Sequence, residues 1–195
     1  MKQQIKIIDY KAGNIASVRH ALRRLGMEAG LAAFPEDLEH ADKLIFPGVG
    51  HARAAMNILK DKDMDQAIKA FKGPVLGICL GMQLMADSSE EGGMKGMGLF
   101  SEKIKRFSGD FKIPHMGWNS LYGLTGPLFA NVPEESHVYF VHSYYMPKSS
   151  HAIALCQYGE AFTAACSKDH FFGVQFHPEK SGKPGMQILQ NFIDL

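Results

Sequence analysis

The run Pro74-Val75-Leu76-Gly77-Ile78-Cys79-Leu80-Gly81-Met82-Gln83 constrains this chain more than any other stretch. An apolar, β-branched segment passes through Gly-x-Cys-x-Gly into helix-forming residues. That is the pattern of a strand–turn–helix elbow with a nucleophile at its apex. The turn is so tight that the apex residue is forced into an unfavourable backbone conformation, and flanking glycines let strand and helix approach closely. Cys79 is then presented at the carboxyl edge of a sheet and at the start of a helix. The positive end of the helix dipole favours its reactive thiolate there. Taken alone, the segment also fits a buried free cysteine, a common core residue.

A second segment, Phe172-Gly173-Val174-Gln175-Phe176-His177-Pro178-Glu179-Lys180-Ser181, again delivers polar residues at the end of a strand-like run. His177 and Glu179 are two positions apart, so in extended chain their side chains share a side. A carboxylate there can hold one ring nitrogen and fix the tautomer, leaving the other to exchange protons with a thiol. Pro178 between them stiffens the backbone and removes a competing donor. A lone His-x-Glu also fits a surface pair. Its weight comes from the candidate nucleophile elsewhere in the chain.

A third segment, Phe46-Pro47-Gly48-Val49-Gly50, follows the strand-like Lys43-Leu44-Ile45. Its glycines allow backbone N–H groups to turn towards an oxygen that becomes anionic during acyl transfer. An ordinary Pro-Gly turn is the alternative. With Cys79 as nucleophile, the N–H of Leu80 is one candidate donor to that oxygen and the Gly48-Val49-Gly50 strip supplies the second.

The remaining pattern predicts an α/β protein. Strands are expected at Ile5 to Asp9, Glu28 to Ala33 and Lys43 to Phe46. A helical stripe of Ile15, Val18, Leu22 and Leu25 starts after Asn14 as N-cap and stops at Gly26. Helices are expected over Ala52 to Leu59, Met64 to Phe71 and from about Gly81. Beyond Gly98 short strands follow around Ile104, Ser120, Val138 to His142, Ile153 to Gln157, Ala161 to Cys166 and Phe171 to Gln175. A closing amphipathic helix runs through Met186, Ile188, Leu189 and Phe192. The expected fold is one doubly wound domain over residues 1–195, with a mostly parallel central sheet and antiparallel strands added in the C-terminal half.

Composition narrows the function classes. A formal net charge of +1 gives no reason to expect nucleic acid or a membrane surface as partner. The opening residues lack a secretory apolar region and no apolar run reaches membrane-spanning length. Three cysteines, an odd number, argue for a reducing cytoplasm over a disulfide framework. Cys156 and Cys166 lie in alternating segments and read as core thiols. Gly93-Met94-Lys95-Gly96-Met97-Gly98 reads as a loop, no nucleotide-binding loop motif is present, and the nine histidines show no zinc spacing. Neither a metal nor a cofactor is expected. Met82, Met85, Met94 and Met97 read as packing residues.

The elbow, the Pro-Gly-x-Gly strip and Phe-His-Pro-Glu occur here in the order found in the class I glutamine amidotransferases, which the chain resembles over essentially its whole length. Asp9-Tyr10 with Gly13-Asn14, His115-Met116-Gly117-Trp118-Asn119, Val141-His142-Ser143-Tyr144 and Gln175 through Ser181 narrow the likeness. They are similar to the branch that serves imidazole glycerol phosphate synthases in histidine biosynthesis. Lys11 departs from that branch, which usually carries a small residue there, often glycine.

The resemblance implies a glutaminase with a Cys79-His177-Glu179 triad. It implies that backbone around Gly50, Ser143 and Tyr144, and the side chain of Gln83, hold the glutamine; plain strand-end packing is the other reading of Ser143 and Tyr144. The partner it implies is a (β/α)₈-barrel cyclase, meeting Asn14, Trp118, Tyr139 and Lys180 in a heterodimer. That cyclase would use the ammonia to form imidazole glycerol phosphate and an aminoimidazole carboxamide ribonucleotide. By composition alone Trp118 would be a core residue. Three other readings stay open: a paralogue feeding another synthase such as one amidating a surface sugar, a stand-alone γ-glutamyl hydrolase, and a non-catalytic module on the same scaffold.

Overall fold

The structure is a computed structural model and describes residues 3–11 and 13–195. Five parallel strands form its centre: β1 (Ile5–Ile8), β2 (Ala29–Ala32), β3 (Lys43–Gly48), β4 (Val75–Cys79) and, from the far end of the chain, β13 (Phe171–Val174). Their order is β2-β1-β3-β4-β13. All six residues of β3 and all five of β4 are buried. That continuous burial is why both segments read as unbroken apolar runs rather than alternating ones.

Helices cover both faces. α1 (Ile15–Arg24) and α5 (Gly182–Asp194) pack on one side, with Val18, Leu22, Ile188, Leu189 and Phe192 in a core shared with Ile5, Ile7 and Ile45. α2 (Ala52–Asp61), α3 (Met64–Ala70) and the short α4 (Leu80–Met85) pack on the other. Met56, Leu59, Ile68 and Met82 meet Ile8, Leu44, Phe46 and Val75 there. Each such aliphatic side chain stabilises the fold by roughly 1.5–3 kcal/mol through burial. Asn14 stands at the N-cap of α1 but makes no side-chain capping bond. Met82, Met85, Met94 and Met97 are all buried packing residues.

Beyond β13 the sheet continues through mostly antiparallel strands: β12 (Glu160–Lys168), β10 (Tyr144–Pro147), β7 (Phe100–Arg106), β5 (Ala86–Ser89) and β6 (Met94–Lys95), with β11 (Ala152–Tyr158) beside β12. Among the described residues this makes an 11-stranded sheet. The segment expected as a loop at Gly93–Gly98 is partly ordered, since Met94 pairs with Ser89 and Lys95 with Ser88. Two strands, β8 (His115–Ser120) and β9 (His137–His142), form a separate antiparallel ribbon. No helix among the described residues is long and apolar enough to cross a membrane.

Candidate active site

The parallel centre brings the three sequence segments to one edge. In register, Val174 pairs with Ile78 and Gly48 pairs with Cys79. Cys79 therefore ends its strand with the glycine strip on one side and the Gln175–Ser181 segment on the other. Its backbone, φ 54° and ψ −109°, is the strained apex expected of the elbow. A non-glycine residue held this way costs of order 1–3 kcal/mol, maintained here by the packing around it. The neighbouring glycine is obligatory: a Cβ on Gly81 would sit 1.8 Å from the Phe46 carbonyl oxygen.

His177 Nδ1 and Glu179 Oε1 are 2.9 Å apart, and both side chains are almost fully buried. The tight turn at Pro178–Lys180 holds them. The Ser181 hydroxyl donates to the His177 carbonyl and accepts from the Tyr139 N–H, while the His177 N–H donates to the Tyr139 carbonyl. Burial alone would pull the ring's pKa down. The Cys79 sulfur and the Glu179 carboxylate outweigh it and raise it from 6.5 to about 10. The ring is thus held as a cation, with Glu179 Oε1 against Nδ1 and the Cys79 sulfur as the other group that raises its pKa. Among the described residues its Nε2 has no hydrogen-bond partner, which leaves it free for a reacting group.

The Cys79 thiol points at the Val141 carbonyl, 3.9 Å away, and its sulfur accepts from Gln175 Nε2 at 3.7 Å. Cys79 opens into a cavity of about 390 Å³ whose walls include Val49, Gly50, Leu80, Gln83, Ser143 and Tyr144. Gly48 lies behind this wall and serves close packing instead: a Cβ there would approach Leu80 Cβ to 2.7 Å. Gly50, at φ 102°, uses a conformation that favours glycine. The Tyr10 hydroxyl donates to the Pro47 carbonyl at 2.9 Å and anchors the start of the strip.

Gln83 lies on the cavity wall with much of its hydrogen-bonding capacity already used. Both hydrogens of its side-chain amide are used within the chain, to the Tyr144 carbonyl and to Gln175 Oε1, each at 2.9 Å. Only its carbonyl oxygen remains for a ligand. Cys156 and Cys166 are fully buried. Burial pushes the Cys156 thiol up to about 12 and raises Cys166 as well, so neither thiol is readily ionised.

Three of the four residues expected at a partner face sit together. Trp118 is 57% exposed, on β8 beside Tyr139 of β9, with ring centroids 6.1 Å apart. Lys180 Nζ lies 5.9 Å from the Tyr139 ring centre. Asn14 is half-buried at the start of α1. Trp118 is therefore a surface residue and not the core tryptophan that composition alone suggests. Exposed Met116, two positions away on the same strand, widens that apolar face.

Sequence reasoning gave Tyr10, Gln175, His115 and His142 no role at the site. Each lay within a motif that carried the resemblance, but only the pairing of distant strands reveals what its side chain touches.

The family model for class-I glutamine amidotransferases matches residues 6–195. The chain is 49% identical over 195 residues to the HisH component of imidazole glycerol phosphate synthase from Bacteroides fragilis strain YCH46, covering 98% of this chain and 100% of that one. It is 46% identical to the HisH of Yersinia pseudotuberculosis, covering 98% and 99%. In fold it is similar to PurLQS from Thermotoga maritima, with TM-score 0.74 at 19% identity over 100% of this chain and 99% of that one. It is also similar to a solved glutamine amidotransferase, with TM-score 0.77 at 17% identity over 97% of each chain.

Proposed function

The chain belongs to the class I glutamine amidotransferases, and from that membership we propose that it is the glutaminase subunit of an imidazole glycerol phosphate synthase. The observation that carries this reading is the full-length identity to HisH proteins in a chain where Cys79, His177 and Glu179 meet at one sheet edge. Residues 1–195 act as one glutaminase domain, and the chain works as one subunit of a synthase that makes imidazole glycerol phosphate for histidine biosynthesis.

The chemistry follows from the groups at the cavity. The Cys79 thiolate attacks the side-chain amide carbon of glutamine, and the carbonyl oxygen becomes an oxyanion. The Leu80 N–H and an N–H of the Val49-Gly50 strip, both on the cavity wall, are the donors to that oxygen. The His177 imidazolium gives its Nε2 proton to the departing nitrogen, which leaves as ammonia, and Glu179 stabilises the ring's charge. The ring, now neutral, accepts a proton from water, whose oxygen attacks the γ-glutamyl thioester. Glutamate leaves and the thiolate–imidazolium pair is restored. Ser143 and Tyr144, with the Gln83 carbonyl oxygen, orient the substrate on the opposite wall.

Ammonia released to neutral water becomes ammonium and loses its lone pair, so it has to pass directly to an acceptor site. The partner proposed here is a (β/α)₈-barrel cyclase, docked on Trp118, Tyr139 and Lys180 and reaching Asn14. An exposed tryptophan beside a tyrosine and a lysine suits such an interface, where aromatic anchors dominate. A solution test is co-expression with that cyclase. A stable complex that is lost on Trp118→Ala supports the surface, and an undiminished complex rules it out.

A further inference from the structure

We infer that Gln175 is a positioning residue for the Cys79 sulfur, held in place by Gln83 and, through the Tyr144 carbonyl, by the His142–His115 pair. This rests on the reading of Cys79 as the nucleophile. The geometry is a continuous chain of hydrogen bonds, buried at its Cys79–Gln175–Gln83 end and between the two histidines and reaching the surface at Asn119. Asn119 Nδ2 donates to the Gln157 carbonyl at 2.9 Å and lies 3.3 Å from His115 Nε2. His115 Nδ1 is 3.0 Å from His142 Nε2, and His142 Nδ1 is 2.7 Å from the Tyr144 carbonyl. Gln83 Nε2 bridges that carbonyl to Gln175 Oε1, and Gln175 Nε2 reaches the sulfur.

Donor accounting permits one arrangement. A carbonyl only accepts, so His142 carries its proton on Nδ1 and Gln83 must present its N–H₂ to Tyr144. Turning Gln83 over would set its oxygen against the Tyr144 carbonyl oxygen, acceptor against acceptor. With Gln83 so placed, Gln175 must offer its oxygen to Gln83, which leaves its amide N–H₂ for Cys79. His142 Nε2 is then an acceptor, His115 donates from Nδ1, and His115 Nε2 accepts from Asn119. Both rings have to be uncharged for this order to hold. Burial supplies that, lowering His115 to about 4 and His142 to about 3.

Gln175 is fully buried and is absent from the cavity wall, so it touches the nucleophile without touching the substrate. The N–H aimed at the sulfur gives it a fixed donor and, with the Val141 carbonyl on its other side, sets the direction in which the side chain points. At its other end the chain of bonds stops at Asn119, on the strand that turns Met116 and Trp118 outward. The nucleophile is thus tied to the back of the exposed ribbon.

The test compares Gln175→Met with the wild type in two assays. In the complex with the cyclase, kcat for glutamine should fall about tenfold, the loss of one hydrogen bond to a charged group, with KM changing less than about twofold. In the isolated chain, alkylation of Cys79 by iodoacetamide at neutral pH, read by peptide mass spectrometry, should slow by a similar factor. A residue that merely filled space would leave the alkylation rate unchanged. Should Gln175→Met unfold, Gln175→Glu has the same shape and still accepts from Gln83 but offers the sulfur no N–H. Wild-type alkylation and turnover in the folded variant overturns the inference. Glutamine hydrolysis that persists in Cys79→Ala would instead overturn the reading of the nucleophile, so the two failures are distinct.

Discussion

Ile78 and Val174 lie side by side in parallel register. Because parallel neighbours end at the same edge, the residues that follow each of them, Cys79 and the Gln175–Glu179 segment, reach one place. That place is the carboxyl edge of the sheet, where doubly wound folds bind their ligands. The insertion of a strand from the end of the chain into the parallel centre is the step that turns two separate motifs into one site.

Replacing the nucleophile should separate hydrolysis from folding. Cys79→Ala is expected to cut glutamine hydrolysis by more than about 10⁴-fold. Its melting temperature should hold or rise, because alanine removes no packed bulk of consequence. With the cyclase and an ammonium salt, the variant should still support synthesis. Cys156→Ala and Cys166→Ala should keep their glutaminase activity. Labelling of Cys166 in preference to Cys79 by a glutamine-like electrophile would contradict the assignment.

The raised pKa of His177 sets a pH dependence. In the proposed mechanism its protonated form is the acid for the leaving nitrogen, and that form persists until about pH 10. Activity is therefore expected to stay level through the range where a free imidazole would already have lost its proton, and to fall only near 10. His177→Asn should lose that basic limb together with roughly 10²–10⁴-fold in rate. Glu179→Gln, which keeps an acceptor for Nδ1, should cost less. A basic limb near 6.5 in the wild type would contradict the thiolate–imidazolium pair.

Lys11 sits at φ 62°, in the left-handed region that glycine occupies without penalty. This is the position at which the resembling branch usually carries a small residue, and the backbone supplies the reason. A side chain there costs roughly 1–2 kcal/mol, part of which glycine returns as extra freedom of the unfolded chain. Lys11→Gly is expected to raise stability by about 0.5–1 kcal/mol, read as a higher urea midpoint at unchanged slope. A lower midpoint would show that the lysine makes compensating contacts.

The buried histidine pair predicts acid sensitivity. Burial holds His142 at about 3 and His115 at about 4, below the ordinary 6.5. As pH falls past about 6.5 the unfolded chain takes up protons that the folded chain refuses, so stability drains away towards pH 4. His177 adds nothing in this window, because its raised pKa leaves it charged in both states below 6.5. Urea midpoints should decline from pH 7 to pH 5, and more shallowly in the double variant His115→Gln/His142→Gln. Equal declines would remove the pair as the cause.

The parts of the site legible in sequence are those encoded by local spacing. Gly-x-Cys-x-Gly specifies an elbow because close approach excludes a Cβ at Gly81, and His-x-Glu specifies a pair because extended chain repeats every two residues. The relay through Gln175, Gln83 and His142 was not legible, since each of its bonds crosses between segments joined only by sheet pairing. The strands β5 and β6 also escaped notice. Ala86-Asp87-Ser88-Ser89 carries no β-branched residue and forms a strand only because neighbours on both sides supply its ladder. The exposure of Trp118 ran against its composition for a related reason: strand alternation on a two-stranded ribbon decides which face meets water.

Glutamine hydrolysis by this chain is expected to be coupled to the cyclase and its acceptor nucleotide. The measurement is steady-state glutamine hydrolysis by the chain alone, with the cyclase, and with the cyclase plus its acceptor nucleotide, using glutamine labelled with ¹⁵N at the side-chain amide. Slow turnover alone is expected. A rise of about 10²-fold or more with partner and nucleotide should follow, the size of effect a single oxyanion donor supplies. The label should appear in the imidazole product in step with glutamate. Equal turnover in all three conditions, with the label released as free ammonium, would contradict the account and make the chain a stand-alone hydrolase.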